Sequence, residues 1–147
     1  METMDHKIKR LALYYSHIYE TKNPVIIARN LGIMVYVCPL GNISGNYKLL
    51  KRKRWIFVNE EIDRHDPFFK VVVAHELGHA IFHRKENCAF IKRHTLLLTS
   101  GIESEANLFA SYLLIDSDML EEYSGFTIEQ FCNNTGYPEE LVKLRLK

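Results

Sequence analysis

His75, Glu76 and His79 are the residues of this chain best spaced to do chemistry together. Side chains four positions apart lie on one face of an α-helix, about one turn apart. The two imidazoles can therefore converge on one ion, and zinc takes such nitrogen ligands at about 2.0–2.1 Å. Glu76 projects beside the first histidine toward the same cleft and can act as a base without being a ligand. The run His75-Glu76-Leu77-Gly78-His79 thus offers two ligands and one proton acceptor. The plainer alternative is a hydrogen-bonded pair of core histidines beside an exposed glutamate. Against it stands the surrounding segment, which is apolar on most sides (Phe68, Phe69, Val71, Val72, Val73, Ala74, Leu77, Ala80, Ile81, Phe82). Two imidazoles and a carboxylate need a reason to sit in such a helix. Gly78 adds to the argument. It costs about 1 kcal/mol relative to alanine inside a helix, and it would let another chain, or the sheet edge, approach closely.

A catalytic zinc needs a third protein ligand and an open position. The best source is Glu103-Ser104-Glu105-Ala106-Asn107, across a loop long enough to reverse the chain. Glu103 is preferred because Asn107, four residues on, shares its face and can hydrogen-bond a ligand histidine and fix its orientation. Glu105 is the alternative, and the plain role for either is a solvated acid at a helix N-terminus. His83 continues the four-residue spacing but rises about 12 Å from His75, too far to share one ion. It is expected to orient a neighbour or to pack at the helix end. His6, His17, His65 and His94 lack ligand-like spacing and are expected at the surface. Tyr47 and Tyr112 are candidate donors to a reacting oxygen, although an ordinary buried tyrosine is the favoured reading of each. Cys38, Cys88 and Cys132 are odd in number and form no CxxC, so neither a disulfide framework nor a closed thiolate site is expected.

These residues need a scaffold. Asp5 can cap a first helix running to about Tyr19. Asn23-Pro24 starts a short second one that ends before Gly32. Residues 33–38, 46–50 and 55–59 read as strands of a small antiparallel sheet, the last two flanking a basic turn, Lys51-Arg52-Lys53-Arg54. A helix apolar nearly all round spans about 66–83, and such a helix is a central one. Residues 84–100 read as a loop carrying Phe90, Ile91 and Leu96-Leu97-Leu98, a candidate lid or docking surface. Helices are expected at about 102–115, 118–123, 127–134 and 138–146. The 147 residues, 47% hydrophobic and 25% charged with net charge +1, suggest one domain over 1–147. Its parts are N-terminal helices and sheet over 5–65, metal-site helices over 66–115 and short helices over 116–147. The near-neutral balance gives no sign of a protein that coats nucleic acid or a membrane surface. No stretch reaches membrane-spanning length and the N-terminus lacks an apolar signal core, so the expected location is cytoplasmic.

The motifs together carry a resemblance. His75-Glu76-Leu77-Gly78-His79-Ala80-Ile81-Phe82-His83, then Glu103-Ser104-Glu105-Ala106-Asn107-Leu108-Phe109-Ala110, then Leu113-Leu114-Ile115 resemble the ImmA/IrrE metallopeptidase family. Asn23-Pro24, Ala28-Arg29-Asn30-Leu31-Gly32-Ile33, Gly45-Asn46-Tyr47 and Ile56-Phe57-Val58-Asn59 are similar to its upstream elements, so the likeness covers roughly residues 5–120. Ile115-Asp116 departs from the Met-Pro of many members, outside the ligand set. The resemblance implies an α+β, zincin-like (gluzincin) fold with its sheet packed on a central active-site helix. It implies zinc ligands at His75, His79 and Glu103, with Glu76 as catalytic glutamate. It also implies an antirepressor of a bacterial mobile element or prophage that cleaves a helix-turn-helix transcriptional repressor.

Two other readings compete with this peptidase. One is a zinc-containing regulatory or interaction module that binds a repressor or DNA without proteolysis; an intact Glu76 disfavours it, because a structural zinc takes four closed ligands. The other is direct DNA binding through Lys48-Leu49-Leu50-Lys51-Arg52-Lys53-Arg54 and the last two helices, with Ile128, Phe131, Cys132, Leu141, Val142 and Leu144 as their small core. The final helix opens on Glu139-Glu140, which would face phosphates where a recognition helix presents donors. A basic hairpin tip is more often solubilising, so direct nucleic-acid binding is not expected.

Overall fold

The computed structural model describes residues 1–90 and 101–147, with side chains described outside 88–90. The chain runs α1 (Met4–Ile18), α2 (Pro24–Asn30), β1 (Met34–Cys38), β2 (Gly45–Leu50), β3 (Lys53–Asn59), α3 (Pro67–Phe82), β4 (Cys88–Phe90) and α4 (Gly101–Leu114). Three short helices follow: α5 (Ser117–Glu122), α6 (Ile128–Thr135) and α7 (Glu139–Arg145). The fold is α+β, with α3 buried along most of its length between the sheet and α4. Among the described residues no helix is long and apolar enough to cross a membrane.

Local chemistry sets the helix starts. The Asn23 side chain accepts from Val25 N–H and the Asp66 side chain from Phe68 N–H, each just before a proline at the first helical position. The cap of α1 is Thr3, not Asp5; its hydroxyl accepts from His6 N–H and leaves Asp5 in the first turn. Thr127 and Gln130 form a capping box on α6, and Gly136 ends that helix at φ +78°.

The sheet departs from the antiparallel expectation. Its order is β1-β3-β2-β4, and β1 runs parallel to β3, with Met34 beside Trp55 and Cys38 beside Asn59. Among the described residues only β2–β3 and β2–β4 are antiparallel. The reason is connectivity: β1 is followed by a loop that crosses back before β2, so the β2–β3 hairpin inserts β3 between the two. Cys88–Phe90, expected within a loop, adds a fourth strand along Gly45–Tyr47. Ile91 and Leu96-Leu97-Leu98, like His94, lie outside the described residues.

The basic turn is tighter than expected. Only Lys51 and Arg52 form it, both with positive φ (48° and 68°), as a two-residue hairpin loop requires. Arg54 points inward instead. Its guanidinium donates to the Ala80 carbonyl at 3.1 Å and the Leu31 carbonyl at 3.0 Å, satisfying the ends of α3 and α2. Nor do α6 and α7 form a core of their own. Phe131, Leu141 and Val142 are buried in the main core, and Arg145 donates to the Ile115 carbonyl at 2.6 Å.

Candidate metal centre

Helix α3 presents His75 and His79 one turn apart, both essentially inaccessible, and α4 presents Glu103 across from them. The helices can lie this close because of Gly78. A Cβ there would stand 3.1 Å from the Ala106 Cα and 3.3 Å from its carbonyl oxygen, so α4 backbone occupies the space a side chain would need. What approaches this glycine is α4, rather than another chain or the sheet edge.

Three ligand-type atoms converge. Glu103 Oε1 lies 3.0 Å from His75 Nε2 and 3.2 Å from His79 Nε2, and the two Nε2 atoms are 3.2 Å apart. Such a His-His-Glu group can hold a metal ion. The far nitrogens are occupied. Asn107 Oδ1, an acceptor only, lies 2.6 Å from His75 Nδ1, which must carry the proton and leave Nε2 with its lone pair. His79 Nδ1 lies 2.9 Å from His83 Nδ1, and His83 Nε2 lies 2.7 Å from Glu105 Oε1. The Glu105 carboxylate accepts from His83 Nε2–H. With His83 neutral, its Nδ1 accepts from His79 Nδ1–H, again leaving Nε2 of the site histidine free to ligate.

The carboxylates are in contrasting states. Glu76 is fully buried, and neither of its oxygens has a hydrogen-bond partner among the described residues. Burial, reinforced by the Glu103 charge, raises its pKa well above the usual carboxylate range. Burial would raise Glu103 too, but in the metal-free group, where the facing Nε2 atoms of His75 and His79 can take up a proton and donate it, these contacts outweigh burial and hold that carboxyl at about 2. Burial, against the pull of Glu103, lowers the pKa of His79, which favours the neutral form a ligand needs. A buried, unpaired carboxylate beside three converging donors fits a site completed by a cation. Strand β2 makes room for it: a Cβ on Gly45 would collide with Val72 and come within 3.3 Å of Glu76 Oε2.

The structure therefore brings His75, Glu76, His79 and Glu103 together and sets Glu105 apart, on His83. Tyr47 is buried with its hydroxyl donating to the Arg84 carbonyl at 2.6 Å, and Tyr112 packs under the Arg145 guanidinium at 4.2 Å. Both are in structural roles. His6, His17 and His65 are exposed. Gly45 and the Glu105–His83 contact were not foreseen as parts of the site. A glycine inside a strand signals close approach, whereas the contact depends on how α4 packs and has no local signature.

A helix packed on a small sheet and presenting two histidines to a glutamate of the next helix makes a group that can hold a metal ion, as a metallopeptidase requires. The chain belongs to the ImmA/IrrE family: residues 28–147 match the model of the IrrE N-terminal-like domain, the M78 peptidase family. It is 35% identical over 130 residues to an uncharacterized immunity region protein 2 of Bacillus phage phi105, covering 86% of this chain and 81% of that protein. It is also 33% identical over 95 residues to the metallopeptidase ImmA of Bacillus subtilis (strain 168), covering 62% of this chain and 54% of ImmA.

Proposed function

We propose that the chain is a zinc-dependent endopeptidase that cleaves a helix-turn-helix transcriptional repressor, with His75, His79 and Glu103 as ligands and Glu76 as general base. The observation that carries this reading is the convergence of His75 Nε2, His79 Nε2 and Glu103 Oε1 beside the buried, unpartnered Glu76 carboxylate. Zinc, when bound, would supply the Lewis acidity that acidifies a water and polarises a scissile carbonyl. The residues of the chain do the rest. Asn107 and His83 hold the two imidazoles in the tautomer that faces the cation. Glu76, whose burial strengthens its hold on a proton, takes one from the attacking water and passes it to the leaving amine nitrogen. The metallopeptidase named among the relatives and the phage immunity-region protein support a peptidase acting in repressor control. The cytoplasm, where a repressor resides, is the proposed location.

The test uses purified protein loaded with zinc and the repressor encoded beside its gene. The expected result is cleavage at one or a few bonds, lost in Glu76→Gln while zinc is retained. Glu103→Ala should weaken zinc retention about 10-fold or more, with Glu105→Ala milder. A repressor bound but left intact by the wild type would favour the interaction-module reading. Full zinc retention in Glu103→Ala with loss in Glu105→Ala would overturn the ligand assignment.

A further inference from the structure

The sheet face opposite Glu76 carries a feature that proteolysis does not use. Alternation along the strands buries Ile56, Val58 and Tyr47 on the inner side and turns Tyr36, Trp55 and Phe57 outward. Tyr36 is 57% exposed, with exposed Met34 and Leu50 at the margins. Tyr36 sits opposite Phe57 across the β1–β3 pair, their rings edge to face at 6.4 Å, while the Trp55 and Phe57 rings are parallel at 5.8 Å. The depression over these rings has a volume of about 850 Å³, a size typical of sites that take whole ligands.

Cations run through this face. Lys48 stands beside Trp55 in the register, Lys53 stands beside Leu50, and Lys51 and Arg52 form the adjoining turn. None of the four makes an ion pair among the described residues. Strands β1, β2 and β3 contain no acidic residue. The basic turn is therefore one end of a continuous aromatic and cationic surface, which its sequence alone did not disclose.

We infer that this face binds single-stranded nucleic acid, with bases stacked on Tyr36, Trp55 and Phe57 and phosphates on the surrounding lysines. Aromatic rings set among cations are how sequence-tolerant single-strand sites work, because every base has a π-face and every linkage a negative charge. A second copy of the chain does not suit the face, since four cations would meet four. A protein partner suits it less well, because interface centres are depleted of lysine and here Lys48 and Lys53 stand among the apolar side chains. Duplex DNA keeps its base faces stacked away from such rings.

Trp55 is the single tryptophan of the chain, so its fluorescence reports on this face directly. The full-length protein is titrated with oligothymidylate of about twelve nucleotides, within the span of known single-strand sites. The expected result is saturable quenching that weakens as NaCl rises. Lys48→Ala and Lys53→Ala should each reduce the slope of log K against log[NaCl] by about 0.7, the signature of one lost phosphate contact on a single strand. Tyr36→Ala, a change at an exposed position, should weaken binding roughly 5-fold or more. Circular dichroism checks that each variant is folded. Absence of quenching at low salt, an unchanged salt slope in both lysine variants, or equal binding of polyglutamate would overturn the inference. So would a concentration-dependent dimer that shields Trp55 without oligonucleotide, or tighter binding of an acidic amphipathic peptide.

Discussion

His75 and His79 each turn Nε2 toward Glu103, where the proposed metal would sit, and Nδ1 toward a protein partner that differs between them. His75 rests on a neutral amide, Asn107, whereas His79 rests on His83 and through it on Glu105. The second arrangement passes carboxylate character through an imidazole and raises the basicity of the ligand nitrogen. Replacing His83 with alanine, or Glu105 with glutamine, should therefore weaken zinc binding by up to roughly 10-fold, less than the loss of Glu103 itself. Competition against a chromophoric chelator measures this, and unchanged affinity in both variants would mean the chain only fills space. Glu76 gives a second prediction, for protein stripped of metal. Its folded pKa lies above the 4.5 expected of the unfolded chain, so the unfolded state ionises first as pH rises. Glu76 therefore subtracts stability above about pH 4.5 and subtracts nothing below it. Glu76→Gln should make the metal-free protein more stable at pH 7 by roughly 1–3 kcal/mol, with the gain vanishing below pH 4. Urea unfolding at the two pH values checks both the sign and the window.

At the scale of elements, Gly78 decides how near α4 comes. Gly78→Ala places a methyl group against Ala106 backbone, which cannot swing aside as a side chain would. Overpacking of this kind costs about 1–3 kcal/mol, partly offset by the roughly 1 kcal/mol gained in helix propensity. A lower urea midpoint is expected together with weaker zinc binding, because displacing α4 carries Glu103 away from the histidines. A stabilised protein with unchanged metal affinity would contradict this. Much of this level was legible in the sequence. Asn23-Pro24 marked one helix start, the apolar run from Phe68 marked the central helix, and Asn107 was placed on a ligand-type histidine by its spacing from Glu103. The parallel direction of β1 was not legible, because residues 33–38 read identically whichever way a neighbour runs. The three-residue β4 was too short to carry a period, and Arg54 looked like part of a solvated basic turn because only tertiary packing turns it toward two helix ends.

For the whole molecule, access governs what the site can do. His75 and His79 are at most 1% exposed and Glu76 is closed off, leaving Glu103 as the partly exposed member of the group. The stretch of β2 nearest Glu76, Gly45–Tyr47, is already paired with β4, so an extended substrate finds that backbone taken. A peptidase with this access should be selective. Casein incubated with the zinc-loaded protein should stay largely intact under conditions that cut the repressor at one or a few bonds, as mapped by mass spectrometry. Rapid digestion of casein at many sites would show that access is not restrictive.

The parallel β1–β3 pair also dictates an order of assembly. The β2–β3 hairpin closes across two residues and needs nothing else to form its ladder, whereas β1 has no partner until β3 lies beside it. Local closures are fast, and non-local parallel pairings wait for the entropy of a longer loop to be met. The hairpin edge is thus the template on which β1 docks. Substitutions in the hairpin should slow folding, while those in β1 should chiefly speed unfolding.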